Sequence, residues 1–283
     1  FYDVEFLSWS RNEGGGFSYR RILVESDIPI PGGNNSLSFS GTNDYVQINN
    51  PYSGIKSDFT ISAWIKALPS NDGIGRPFYV HIAAYADVVG NVQNDSGNEK
   101  IVFRIYKGDG SQDNTQIECD FSSHMNEWTY VTLINESDGN GNNVQKILVN
   151  GNLESFTQWT GEKDWSYGFV HEGIGGPYYD DPQTFMGKIS SVEIWDNSLS
   201  QEEVSSSMYA DFSGEEIGLV SYWGFDEVEG SNAEDLGPSD NIGIVNGATW
   251  SGDAPVSPVY GCTDFYASNF NSDANADDGS CYY

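Results

Sequence analysis

Short runs of β-branched and aromatic residues, each closed by a cluster of Gly, Asn, Asp or Ser, recur through most of this chain. They read "SLSFSG", "DYVQI", "FTISAWIKA", "FYVHIAAY", "KIVFRIYK", "QIECDF", "WTYVTLIN", "KILVNG", "ISSVEIWD" and "LVSYWGF". Runs of this length and composition favour strands, and the clusters between them supply turns, so the chain is expected to be all-β. In "FTISAWIKA" the residues Phe59, Ile61, Ala63 and Ile65 share one face, with Trp64 among Thr60, Ser62 and Lys66 on the other. One face is thus expected to enter a core. "VNGN" at 149–152 sets Asn-Gly between extended runs, the signature of a tight hairpin turn. The one convincing helix start is in "LSQEEVSSSMYADF", where Ser200 can cap the first turn and Glu203 can complete a capping box before Val204 and Met208.

Charge narrows the partners. With 42 Asp plus Glu against 12 Lys plus Arg and a net charge of -30, the 283-residue chain would repel a phosphate backbone, so nucleic acid is not an expected partner. No run approaches the roughly 18 to 20 apolar residues that would span a bilayer, so no membrane insertion is expected. The chain from Phe1 is read as a mature or trimmed soluble product. Its acidity keeps a surface hydrated and attracts divalent cations. High charge can also mean disorder, but 14% aromatic and 38% hydrophobic residues are ample for a core.

Cys262 and Cys281 bracket an acidic tail and are expected to form a disulfide, which persists only in an oxidising compartment. Cys119, on the same face as Ile117 if "TQIECDF" is extended, is expected to be a buried free thiol. Residues 1–33 form an N-terminal extension or leading strand. "FYDVEFLSWS" alternates, whereas "RNEGGGFSYRR" and "IPIPGG" break regularity. That strand could fold back on its own domain or add to the sheet edge of a second copy, with Gly14 to Gly16 as a pivot. A Pro-rich linker is expected over 251–260, leaving the tail module at 261–283.

Taken in order, "NNSLSFSGTNDYVQINNP", "FTISAWIKA", "NEWTYVTLINES", "KILVNGNL", "FMGKISSVEIWDNSLSQEEV" and "GLVSYWGFDEVEGSNAEDLGPSDNIGIVNGATW" resemble the laminin-G-like, concanavalin-A-like jelly-roll domains of bacterial surface and secreted proteins, with pentraxins as distant relatives. The resemblance covers about 34–250 and implies a two-sheet antiparallel jelly-roll sandwich. The paired cysteine of laminin-type modules is missing from the sandwich. "GCTDFYASNFNSDANADDGSC" is similar to small cysteine modules that follow such domains in secreted bacterial proteins. Members of these families usually bind calcium, glycans or proteins, and some only add bulk to a surface protein.

Calcium needs six to eight oxygen ligands, so candidate ligands are sought in acidic loops. By position, the pentraxin-like calcium site would correspond to Asn98 and Glu99 in "SGNEKIVF" and to Glu172, Asp180 and Asp181 in "HEGIGGPYYDDPQTF". In the tail, Asp273, Asn275 and Asp277 occupy alternate positions of an EF-hand-like run. Asp278 stands at its glycine position and the terminal Glu is missing, so a disulfide-closed acidic loop and a stapled polar tail both remain open readings. Trp159, Trp165, Tyr167, Tyr178 and Tyr179 lie in loop-like sequence where rings could stack on a sugar, or could simply pack. Trp64, Trp128, Trp195 and Trp223 are assigned to packing.

Catalysis finds no comparable pattern. The glucanases of this fold carry Glu-x-Asp-x-x-Glu on one strand. Glu193 and Asp196 have the wrong spacing, and His81, His124 and His171 sit in unrelated segments. The expected function is an extracellular, calcium-using adhesion or carbohydrate-binding module that is not an enzyme. Its partners would be glycans or extracellular polymers, or copies of itself if the chain is instead a self-assembling structural subunit. A glycoside hydrolase of this fold is the third reading.

Overall fold

Alternation along the strands decides which side chains meet. The computed structural model describes residues 2–9, 17–23, 35–48, 58–69, 75–83, 86–93, 98–106, 114–160, 169–176, 183–210 and 212–283. The chain passes through β1 (Tyr2–Trp9), β2 (Phe17–Leu23), β3 (Ser36–Thr42), β4 (Tyr45–Ile48), β5 (Phe59–Ala67), β6 (Gly75–Ala83) and β7 (Ala86–Gln93). Next come β8 (Lys100–Tyr106), β9 (Asn114–Asp120), β10 (Thr129–Ser137), β11 (Asn142–Val149), β12 (Asn152–Thr160), β13 (Phe169–Ile174) and β14 (Gln183–Trp195). Helix α1 (Gln201–Ser207) precedes β15 (Leu219–Trp223), β16 (Asn232–Ala233), β17 (Gly243–Asn246), β18 (Thr249–Ser251), β19 (Tyr260–Gly261) and β20 (Ala276–Asp277).

Two eight-stranded antiparallel sheets form a jelly-roll sandwich. One runs β12, β11, β10, β5, β14, β3, β18, with β15 also bonded to β14; the other runs β16, β17, β4, β13, β6, β7, β8, β9. Phe59, Ile61, Ala63 and Ile65 of β5 enter the core between them as the alternation predicts, together with Phe78, Phe103 and Ile105 of the second sheet. Phe59 meets Phe103 edge to face, 6.3 Å between ring centroids. Each such side chain, fully buried, contributes about 1.5–3 kcal/mol.

The opposite face of β5 is buried too, which its alternation alone did not predict. Trp64 packs with Tyr130, Trp195, Leu199, Val204, Phe212 and Tyr222 under α1 and the segment after it, and its indole N–H donates to the Met208 carbonyl at 2.9 Å. The helix starts at the expected cap. Ser200 Oγ accepts from Glu203 N at 3.2 Å, and Glu203 Oε2 accepts from Ser200 N at 2.7 Å. The β11–β12 turn has the positive φ angles of a tight hairpin, 48° at Asn150 and 75° at Gly151. Gly151 is also pressed against the helix: a Cβ there would lie 2.6 Å from Ser205 Oγ. Both the turn and the helix contact therefore require glycine.

Beyond β15 the chain is organised by one carboxylate. Asp235 is buried; its Oδ1 accepts from the backbone N–H groups of Tyr222 and Gly237, both at 2.8 Å, and its Oδ2 from Asn241 N at 3.0 Å and Ser239 Oγ at 3.2 Å. The expected linker is anchored where it begins. Asp253 accepts from Lys188 Nζ at 2.8 Å, Trp128 Nε1 at 2.9 Å and Lys66 Nζ at 3.2 Å, and its carbonyl accepts from Ser36 Oγ at 2.6 Å. Partial burial pushes the Asp253 carboxyl up, but the bonds from Lys188, Trp128 and Lys66 outweigh it and hold the pKa at about 2.

Cys262 and Cys281 form the expected disulfide, and the tail adds a short parallel pairing of β19 with β20. Cys119 is free and half-buried; burial, then the charge of Glu154, raises its pKa to about 11, so the thiol stays protonated and unreactive at neutral pH. β1 pairs with β2 as a separate two-stranded antiparallel sheet, and neither sandwich sheet takes it as a further strand. Closing a short local hairpin costs less chain entropy than recruiting a distant edge.

Candidate functional site

At one edge of the first sheet, polar residues take inward positions where the neighbouring registers hold aliphatic ones. Leu133 stands opposite Ile147, but the next two inward pairs along β10 and β11 are Asn135 with Gln145 and Ser137 with Asn143. Trp159 of β12 faces Asn143 in turn. The indole is held by a chain of amides. Trp159 Nε1 donates to Asn135 Oδ1 at 3.2 Å, Asn135 Nδ2 to Asn143 Oδ1 at 3.3 Å, and Asn143 Nδ2 to the Gly141 carbonyl at 3.4 Å. Gln145 Nε2 reaches across to the Phe103 carbonyl at 2.9 Å, tying this corner to the second sheet.

Beside the indole lies a cleft of about 520 Å³, lined among others by Glu136, Asp138, Asn143, Gln158, Trp159 and Thr160. Strand register places three of its walls. Glu136, Val144 and Gln158 line up across β10, β11 and β12 on the face opposite Trp159, so the cleft wraps the strand ends and meets both faces. Its floor is shaped by the β10–β11 turn. There Asp138 Oδ1 accepts from Asn140 N at 2.7 Å and Asn142 N at 3.1 Å, and Oδ2 from Asn142 Nδ2 at 2.7 Å. These bonds, the Asn142 side chain first, hold the Asp138 carboxyl below its ordinary value, so it remains an anion at neutral pH. Glu136 is exposed and accepts from Lys146 Nζ at 2.5 Å. The result is a partly open cavity beside a buried indole with several exposed acceptors and amides, a composition that can bond the hydroxyls of a sugar.

The structure redistributes the residues singled out from sequence. Trp159 belongs to a strand and not to a loop, and only 7% of its surface is exposed, because its register turns the ring inward. Trp165, Tyr167, Tyr178, Tyr179, Asp180 and Asp181 lie outside the described residues, as does the side chain of Glu172, whose backbone in β13 stands opposite His81. Asn98 is exposed while the adjacent Glu99 is buried, so the two do not present their side chains to one point. The tail trio does not converge. Asn275 is turned to the linker, accepting from Val259 N at 2.7 Å and donating to the Ser257 carbonyl at 3.1 Å, while Asp277 accepts from Gly279 N and Asp273 from Ser272 Oγ. Among the described residues no three His, Cys, Asp or Glu side chains gather as a metal site would need.

Glu136, Asp138, Asn143 and Gln158 escaped the reading of the sequence. A signal existed: Asn135, Asn143 and Gln145 put amides in positions that the alternation assigns to the core, and buried amides require partners. Glu193, weighed as a catalytic carboxylate, is buried under α1 with its Oε2 accepting from Tyr130 Oη at 2.7 Å.

Comparison with known proteins follows this geometry. The family model of the concanavalin A-like lectin/glucanases superfamily matches residues 40–205. No curated protein matches significantly. Among solved structures, a candidate carbohydrate-binding protein from Bacteroides ovatus ATCC 8483 is 18% identical with a TM-score of 0.57, covering 86% of this chain and 68% of that one. The CBM40 of the Ruminococcus gnavus IT-sialidase, bound to α2,3-sialyllactose, is 17% identical with a TM-score of 0.49 over 60% of this chain and 95% of its own. The binding domain of botulinum neurotoxin serotype D is 21% identical with a TM-score of 0.43, over 62% and 41%. At such identities the first of these shows a shared fold.

Proposed function

The chain belongs to the concanavalin A-like lectin/glucanases superfamily, and on that footing we propose that it is an extracellular carbohydrate-binding module that works by adhesion without catalysis. The observation that carries this reading is the cleft beside Trp159, lined with the polar groups of Glu136, Asp138, Gln158 and Thr160. Two carboxylates at its rim and a net charge of -30 disfavour anionic glycans, so the ligand is a neutral, hydroxyl-rich one. The disulfide supports an oxidising, extracellular setting. Similarity to a candidate carbohydrate-binding protein supports the same class of ligand.

A glycan array tests it. Gln158 is exposed, so Gln158→Ala should weaken binding about tenfold, the equivalent of one lost hydrogen bond, without lowering Tm. Trp159→Ala should abolish binding and also destabilise the edge by roughly 3 kcal/mol, as loss of a large buried ring does. Absence of wild-type binding to any neutral glycan, or unchanged binding by Gln158→Ala, rejects the reading.

Calcium belongs to the proposal through Glu172, Asp180 and Asp181, which supply carboxylates within one short stretch of sequence. Millimolar calcium should raise Tm above that in EDTA, since an ion at a hundred times its Kd that binds only the folded chain adds about 2.7 kcal/mol. Coincident melting curves would remove calcium from the account.

A further inference from the structure

The tail module keeps its aromatic rings outside. Within 261–283 only Cys262 and Ala267 are buried among apolar side chains, whereas Phe265 is 75% exposed, Tyr266 85% and Tyr283 81%. A chain segment this short cannot bury such rings in a core of its own, and the disulfide replaces the core as its source of order. The rings are nevertheless held in place. Phe265 meets Tyr266 and Phe270 edge to face, at 5.8 and 5.5 Å between centroids. The Asp264 carboxylate accepts from Tyr266 N at 2.9 Å and from the Tyr283 hydroxyl, which ties a fourth aromatic residue to the same turn. Asn269 locks the chain end by donating to the Ser280 carbonyl at 2.9 Å and accepting from Tyr282 N at 3.0 Å. Ordered, exposed rings in one place form an apolar patch of the kind that marks an interaction site.

Charge decides what can cover it. No Lys, Arg or His follows Lys188, and the module carries Asp264, Asp273, Asp277 and Asp278. A second copy would bring the same acidic surface against it, and an anionic polymer would be repelled in the same way. We propose that Phe265, Tyr266, Phe270 and Tyr283 form a second polysaccharide-binding surface, separate from the cleft, which takes a non-anionic polymer through the C–H faces of its sugar rings. Stacking of this kind uses ring area and needs no cation on the protein. With the cleft, it gives the chain two points of attachment to one polymer, so that overall retention exceeds that of either alone.

Sedimentation of the full chain with chitin particles, cellulose particles and alginate gel beads tests this. Wild type should sediment with chitin or cellulose and not with alginate. The triple variant Phe265→Ala, Tyr266→Ala, Tyr283→Ala should lose at least tenfold in partition while keeping its Tm and an intact disulfide by mass, because the removed rings are exposed. The proposal is overturned if the triple variant sediments like wild type, if wild type binds neither chitin nor cellulose, or if alginate retains it equally. It is overturned as well if light scattering shows a wild-type dimer that the triple variant dissolves, since the occupant is then a second copy. Failure of the cleft shows differently, as an unchanged glycan array for Gln158→Ala.

Discussion

Asp235→Ala should lower the stability of the domain by about 4 kcal/mol or more, measured by urea unfolding with the slope unchanged. The carboxylate accepts three buried backbone N–H groups, from Tyr222, Gly237 and Asn241, and the Ser239 hydroxyl. Each buried donor left without an acceptor costs roughly 1–3 kcal/mol, and alanine can replace none of the bonds. The loss reaches the core because the Asn241 carbonyl accepts from the indole of the fully buried Trp223 at 3.0 Å. Asn at the same position makes a sharper test. Its amide oxygen can serve one side, but its NH₂ then confronts either Asn241 N–H or the pair from Tyr222 and Gly237, so Asp235→Asn should still cost about 2 kcal/mol. An Asn variant as stable as wild type would show that the charge and both oxygens are not needed.

Glu193 should make stability fall as pH rises from about 4.5 to about 7. Burial raises its pKa from 4.5 to about 7, against the lowering effect of bonds from Tyr130 and Trp195. The groups around it are Tyr130 from β10, Trp195 from its own strand and, through the Tyr130 hydroxyl, Ser207 of α1 at 3.3 Å. None carries a positive charge to hold the anion. In that pH window the folded chain keeps a proton that the unfolded chain has released, so folding is favoured at the acid end and the contribution is lost as pH passes the folded pKa. Above pH 7 the buried anion costs on the order of 3 kcal/mol relative to its protonated form. Glu193→Gln keeps an oxygen for Tyr130 and removes the ionisation, so at pH 8 it should be more stable than wild type by up to ~3 kcal/mol, with the gap closing by pH 4.5. The net charge of -30 adds its own acid-favouring trend to both proteins, so the difference between them is the quantity to measure. Parallel stability curves for the two would exclude a raised Glu193 pKa.

Much of the fold was legible one residue at a time. Phe59, Ile61, Ala63 and Ile65 announce a strand and its inward face, Asn150 and Gly151 a hairpin, Ser200 and Glu203 a helix start, and Cys262 with Cys281 a staple. The candidate site was legible only in Trp159, and even there a strand was taken for a loop. "NLESFTQWT" breaks the hydrophobic alternation because β12 is an edge strand whose side chains are largely exposed, so its sequence resembles a loop.

What the sequence determined by itself is therefore local or cumulative: period-two alternation, turn and cap chemistry, and a strongly acidic net charge. These depend on residues within a few positions of each other or on a simple sum. Tertiary structure alone decided that Trp64 and Trp195 would be roofed by α1, that Glu193 would lose water, that Asp253 would gather donors from distant parts of the chain, and that Asn135 would hold Trp159. Each of those outcomes follows from the order of strands in the sheets. In an antiparallel sandwich, pairings join residues far apart in sequence, and alternation says which face a side chain takes without saying which neighbour it will meet there.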